Sequence, residues 1–431
     1  MKSIFTERRQ RLGANLPPNA AVVIAGASTQ YRNADSSYAF RQDSNFWYLT
    51  GFNEAEATLV VLTDDSQITK SIAFVPEKDK LKEIWDGYRA GPEGAVKDHG
   101  FDEAFNNSEI NDQLPELLRG CDRVFYPVGK NAGLDQNIIE WIKTAKSKDR
   151  HSSAIDIADA SSKVGNQRLI KDAYEIDLMK KACRISAESH VEAMKFVKPG
   201  MTEQEMEAFY LYEFAKRGGR FSAYTPIVAG GENACVLHYV ENSKPLLDGD
   251  LLLVDAGCEY DFYASDITRT FPVSGKFTDA QLAIYEVVLE AESKAIAAVS
   301  VNNNVMDAQI ISEKVVTQGL IDLGILTGSL DDLHAKGAFK EFYMHKIGHW
   351  LGIDVHDAGD YMEDDQFMQF KPGMVTTIEP GIYIPSSANV DDKWKGIGIR
   401  IEDDILVTPD GNENLTEFVP SDPKEIEALM A

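Results

Sequence analysis

The chain has 431 residues, 44% of them hydrophobic and 26% charged, with a mean hydropathy of −0.27. That composition is ordinary for a globular protein and excludes a small stapled scaffold, a fibrous repeat or a disordered chain. Asp and Glu outnumber Lys and Arg 69 to 43, a formal net charge of −26, so phosphate backbones and anionic bilayers are repelled and neither nucleic acid nor membrane is expected as a partner.

In MKSIFTERRQRLGANLPPNA charges interrupt any run of signal-peptide length, and nowhere do about eighteen apolar residues follow one another, so neither secretion by that route nor a membrane span is expected. Cys121, Cys183, Cys235 and Cys258 show no C-x-x-C spacing and read as free or buried thiols in a reducing cytoplasm. At roughly 150 residues per domain, two or three domains are expected. From Ala20 to Val128 the runs AAVVIAG, ATLVVLT and SIAFVP alternate with helical stretches, which predicts one α/β domain. Thr144 to Gln167 is polar without a sustained period and reads as helix end, loop and crossover, which puts a boundary near residue 170 and domains at 1–170 and 171–431.

The second domain opens on a helix capped by Asp172 and Glu175, with Ile176, Met179 and Cys183 at helical spacing and an end near Pro199-Gly200. Thr202 and Glu205 cap the next helix. Strand-like runs follow at 251–257, 267–273, 374–384 and 396–408, with a helix from Asp279 to about Ala298 between the early and late runs. A helix–strand–strand order on both sides of that helix hints at a duplicated half.

Candidate chemistry begins at Asp255 and Asp266. If the runs that contain them form a hairpin centred between Tyr260 and Asp261, the two are direct cross-strand partners with Cβ atoms about 4.5–5.5 Å apart. Like charges at that distance call for a cation. Histidine is scarce, eight in all, yet His345, His349 and His356 share MHKIGHWLGIDVHD, where Gly348 and Gly352 permit close backbone approach. His238, alone after a short apolar run, reads by itself as a core residue. Glu379 sits where the run MVTTI ends at Pro380-Gly381. Alternation in GIGIRIEDD turns Ile397, Ile399 and Ile401 to one face and Gly398, Arg400 and Glu402 to the other. Asp255, Asp266, His349, Glu379 and Glu402 together suit two divalent ions of the manganese, cobalt or zinc type, and hence metal-assisted hydrolysis.

VDAGCEYDFYASDITRTFP, MHKIGHWLGIDVHD, TIEPGIY and GIRIEDD resemble the metal-site motifs of the pita-bread metallopeptidases, the clan of methionine aminopeptidase, prolidase and aminopeptidase P. YTPIVAGGENACVLHY resembles the clan's substrate-histidine segment, and FRQDSNFWYLTGFNEAEATLVV with EIWDGYRAG resembles the N-terminal domain of bacterial aminopeptidase P. The resemblance implies an α/β creatinase-like N-terminal domain, an α+β pita-bread catalytic domain, and manganese-dependent cleavage of Xaa-Pro bonds at a peptide N-terminus.

By motif, Asp255 would bind one ion, Asp266 and Glu402 would bridge two, and His349 and Glu379 would bind the other. His238 and His356 would contact substrate and steady the tetrahedral intermediate. His345 would hydrogen-bond near the substrate, Arg400 would hold a carboxylate ligand, and Glu379 would shuttle a proton to the leaving proline nitrogen. Trp85 would shape the proline-side pocket, reaching a neighbouring subunit's site in a homo-oligomeric dimer or tetramer. His345-Lys346-Ile347-Gly348-His349 departs from the H-G-L-S-H usual in bacterial aminopeptidase P and shares its Gly with prolidases. A prolidase confined to Xaa-Pro dipeptides and an inactive, peptide-binding relative are the alternatives.

Overall fold

The computed structural model describes residues 2–66, 69–148 and 154–431. They form two compact units, the first ending at Arg168 and the second spanning Leu169–Ala431.

The first unit is built on a six-stranded mixed sheet in the order Glu103–Asn106, Thr69–Val75, Thr58–Thr63, Ala20–Ala25, Arg123–Tyr126, Asp156–Asp159. Ala20–Ala25 is apolar throughout because it is central, antiparallel to Thr58–Thr63 on one side and parallel to Arg123–Tyr126 on the other. Ile138 and Trp141 of the Ala132–Ser147 helix share a core with Val23, Val60, Phe74 and Val124. The polar stretch expected to be loop instead supplies the sheet's edge strand, Asp156–Asp159, and the Ser161–Leu169 helix. That strand reads DIAD and is largely exposed, so backbone pairing defines it and no apolar alternation announces it. Part of the loop expected there, 149–153, lies outside the described residues.

In the second unit both capping boxes form, Asp172 with Glu175 at the head of Ala173–Phe196 and Thr202 with Glu205 at the head of Glu203–Arg217. A three-stranded antiparallel sheet follows, Ile227–Gly230, Leu251–Asp255 and Thr268–Pro272. The order then recurs: helices Asp279–Ala298 and Val305–Asp322, followed by the sheet Val375–Ile378, Asp403–Thr408 and Gly411–Asn414. The two late apolar runs each break once. Val375–Ile378 and Gly381–Ile384 part at Glu379-Pro380, Ile397–Arg400 and Asp403–Thr408 part at Ile401-Glu402, and the second strand of the first run pairs with the first strand of the second. Glu379 and Glu402 therefore sit at strand breaks, while Ile397, Ile399 and Ile401 enter the main core.

One expected register is corrected. Asp255 stands opposite Thr268, not Asp266. The connecting turn is Asp261-Phe262, both residues left-handed at φ 49° and 74°, flanked by the pair Tyr260 and Tyr263. Such a two-residue turn normally announces itself with Asn or Gly; Asp-Phe does not, so the centre falls one residue later than the spacing suggests. A shift of the centre by one moves each partner by two and preserves parity, so Asp255 and Asp266 still share a sheet face, as diagonal neighbours.

Candidate metal centre

Each acid reaches the centre through a local backbone device. Ser265 O stands so close to Gly257 that a Cβ there would lie 1.8 Å away, which lets the strands of Asp255 and Asp266 approach. An isolated bridge pairs Thr268 with Glu402 and carries the second sheet to the first, and Thr268 Oγ1 donates to Glu402 Oε2 at 2.6 Å. His349 N–H donates to Thr377 Oγ1 at 3.1 Å, and its carbonyl accepts from Thr377 N at 2.9 Å.

Gly348 makes that last approach possible. A Cβ there would lie 2.0 Å from Thr377 O, a backbone atom. Gly348→Ala is expected to destabilise the protein by about 1–3 kcal/mol, because a rigid strand has to move. A lower thermal midpoint together with reduced metal content would bear this out; an unchanged midpoint would show that the loop gives way freely.

One ligand atom each from Asp266, His349 and Glu402 lies within 4.8 Å of the other two. His349 Nε2 is 3.5 Å from Asp266 Oδ2 and 3.7 Å from Glu379 Oε1. Tyr224 Oη contacts Asp255 Oδ1 at 2.6 Å and Asp266 Oδ1 at 2.5 Å, tying the fifth residue to the set. Arg400 donates through Nη2 to Asp255 Oδ2 at 2.6 Å, through Nη1 to Tyr383 Oη at 3.1 Å and through Nε to Thr268 Oγ1 at 3.2 Å. Having accepted from Arg400, Tyr383 can donate to His345 Nε2 at 2.8 Å, while His345 Nδ1 donates to Lys346 O at 2.8 Å.

The electrostatics show an excess of negative charge. Burial, then neighbouring Asp266, Glu379 and Asp255, drives the Glu402 carboxyl well above its ordinary range. Burial and Asp255 likewise raise Asp266. Burial lifts Glu379 to about 7 against the pull of His349 and Arg400. Burial opposes charge on His349, but hydrogen-bonded Asp266 prevails and holds it at about 9. Burial and then Arg400 press His345 down to about 4. A cluster of oxygen donors and one imidazole that protons must otherwise neutralise has the donor set and the charge deficit that divalent cations fill.

The remaining histidines rim the centre. His356 packs edge-on to His349 with ring centroids 4.2 Å apart. His238 is exposed and within electrostatic range of both His345 and His356. Trp85 belongs to the first unit, on the Lys80–Asp86 helix, and is 86% exposed. Sequence reasoning missed Tyr224, Thr268 and Tyr383. Strand parity could have found the last two, since Thr268 is two residues from Asp266 and Tyr383 four from Glu379; nothing local marks Tyr224.

The family model for metallopeptidase family M24 matches residues 177–409, and that for the aminopeptidase P N-terminal domain matches 5–126. The chain belongs to metallopeptidase family M24. It is a metal-dependent peptidase with the aminopeptidase P arrangement of an α/β N-terminal domain and a pita-bread catalytic domain. The chain is 44% identical to the Xaa-Pro aminopeptidase of Haemophilus influenzae over 429 residues, covering 100% of this chain and 97% of that one. It matches the structure of proline aminopeptidase P II from Yersinia pestis with a TM-score of 0.97 and 44% identity, covering 100% of this chain and 99% of the other. It matches zinc-substituted Escherichia coli aminopeptidase P in complex with product with a TM-score of 0.96 and 43% identity, covering 100% and 98%. Among the described residues no helix is long and apolar enough to cross a membrane.

Proposed function

We propose that this M24 enzyme is an Xaa-Pro aminopeptidase, hydrolysing the first peptide bond of peptides with proline in second place and releasing the N-terminal residue. The observation that carries this reading is the convergence of Asp255, Asp266, His349, Glu379 and Glu402 in a chain 44% identical from end to end to a named Xaa-Pro aminopeptidase. Those five residues would hold two divalent ions, Mn2+ by preference, with Asp266 and Glu402 shared between them. When bound, such ions activate water and polarise a carbonyl.

The chain's own groups do the rest. Glu379 takes the proton of the attacking water and delivers it to the proline nitrogen, which as a tertiary amide must be protonated to leave. Arg400 fixes Asp255 and, through Tyr383, orients His345 beside the substrate. His238 and His356 donate to the carbonyl oxygen as it gains charge. Trp85, on an exposed face of its own unit, contributes an aromatic wall for the proline ring at the site of a second copy, which makes the working form a dimer or tetramer. The four cysteines are free thiols, which supports a reducing, cytoplasmic setting.

Manganese-reconstituted protein offered Xaa-Pro, Xaa-Pro-Yaa and Xaa-Ala-Yaa peptides tests the reading. The Xaa-Pro-Yaa tripeptide should be cut roughly 10–200-fold faster than its alanine counterpart, the range that fit to an apolar pocket provides. Trp85→Ala should narrow that gap by slowing the proline substrate. Equal rates on the two tripeptides would refute proline specificity, and cleavage of the dipeptide alone would make the enzyme a prolidase.

A further inference from the structure

A buried ion pair stands beside the histidine loop and takes no part in the chemistry above. Lys171 Nζ lies 3.1 Å from Asp357 Oδ2, and both side chains are 1% exposed. Lys171 precedes the Ala173–Phe196 helix and is anchored by its own N–H, which donates to Gly373 O at 2.9 Å. Asp357 follows His356 and closes the turn that leaves Trp350. Its N–H donates to Trp350 O at 2.8 Å, and its Oδ1 accepts from Asp354 N at 3.2 Å. The chain folds tightly over the pair, for a Cβ on Gly352 would lie 2.3 Å from Asp357 Oδ2 and 3.0 Å from Lys171 Cε.

The link to the metal centre is the Trp350 carbonyl. It accepts from Asp357 N–H and also lies 3.1 Å from His349 Nδ1. A carbonyl only accepts, so Nδ1 carries the proton there and Nε2 is the nitrogen presented to Asp266 and Glu379. Holding the turn from Trp350 to Asp357 closed therefore fixes which imidazole nitrogen faces the centre, and fixes His356 against that ring. Stability alone is a poor reason for such a pair, since well-packed apolar residues often serve a fold as well as buried charges do.

We infer that Lys171 and Asp357 are positioning residues for His349 and His356, acting through the Trp350 carbonyl. The inference rests on His349 being a metal ligand. Removing Lys171 alone would strand a buried carboxylate and could prevent folding, so the neutral double variant Lys171→Met with Asp357→Asn and the charge-keeping Lys171→Arg are compared with the full-length parent chain.

Calorimetric titration of metal-free protein with Mn2+ should give about 10–100-fold weaker binding for the double variant, the usual cost of losing support behind a metal-binding histidine. Lys171→Arg should stay nearer the parent. The thermal transition and near-ultraviolet dichroism report folding separately, and a double variant that fails to fold would show that the pair serves the fold itself and would overturn the positioning role. A folded double variant with the parent's Mn2+ affinity would overturn the inference. Failure of the parent itself to bind Mn2+ would instead overturn the reading of His349 as a ligand.

Discussion

Glu379→Gln is expected to lower kcat on an Xaa-Pro-Yaa peptide by about 10²–10⁴-fold while KM changes little, because a proton carrier acts in the transition state and not in substrate binding. The substitution keeps the size of the side chain and removes its negative charge and its capacity to accept a proton. The main chain at this position is held by Glu379 N–H donating to Ile347 O at 2.8 Å and by the strand break at Pro380, neither of which involves the carboxyl group. Glutamine keeps the length and one oxygen toward His349 Nε2 and His345 Nδ1, which lie 3.7 and 3.8 Å from the carboxylate. It cannot accept the proton. Burial lifts the carboxyl to about 7 in the metal-free chain, and a bound cation would favour the deprotonated form, which is the form that accepts a proton. Because Glu379 is also a proposed ligand, kinetics belong at saturating Mn2+ with metal content measured on the same sample. Parallel losses in kcat and in substrate affinity at full metal occupancy would assign the residue a structural part only.

What the sequence revealed of this centre follows from which interactions are local. The helix caps at Asp172 and Thr202 were legible because a capping box is satisfied within four residues. Arg400 and Glu402 were placed on one face by parity alone, and the structure gives them Asp255 and Thr268 as partners across the sheets. Parity also kept Asp255 and Asp266 together although their register was misjudged, since a slip of two returns each side chain to its own face. The slip itself was not legible, for a left-handed Phe262 has no cue in its residue type. Tyr224, which joins two carboxylates 31 and 42 residues away, and the edge strand Asp156–Asp159 depend wholly on distant partners. Lys171 was equally silent, its partner being 186 residues off.

Chelation is expected to abolish turnover, and reloading the metal-free protein is expected to release protons at pH 7 and to tighten as pH rises. The direction follows from the charges. His349 is held at about 9 and so carries a proton at neutral pH, Glu379 at about 7 is partly protonated, and Asp266 and Glu402 are raised as well. A metal ion takes the deprotonated forms, so each proton retained is a competitor. The same shifts set the stability of the metal-free chain. For an acid or a histidine whose folded pKa lies above its unfolded value, the stabilisation is complete below the unfolded value, about 4.3 for Glu and 6.5 for His, and is lost as pH rises through the folded one. The metal-free protein should therefore lose stability through pH 7 on account of Glu379 and on toward pH 9 on account of His349, while metal loading offsets that loss. Thermal denaturation with and without chelator should show the gap in midpoint widening from pH 6 to pH 9. Mn2+ affinity should rise about tenfold per pH unit where one proton is displaced. A gap that narrows with pH, or metal uptake at pH 7 with no proton release in buffers of different ionisation heat, would mean that the carboxylates and His349 enter the centre already deprotonated, and the charge-deficit account of the site would fail.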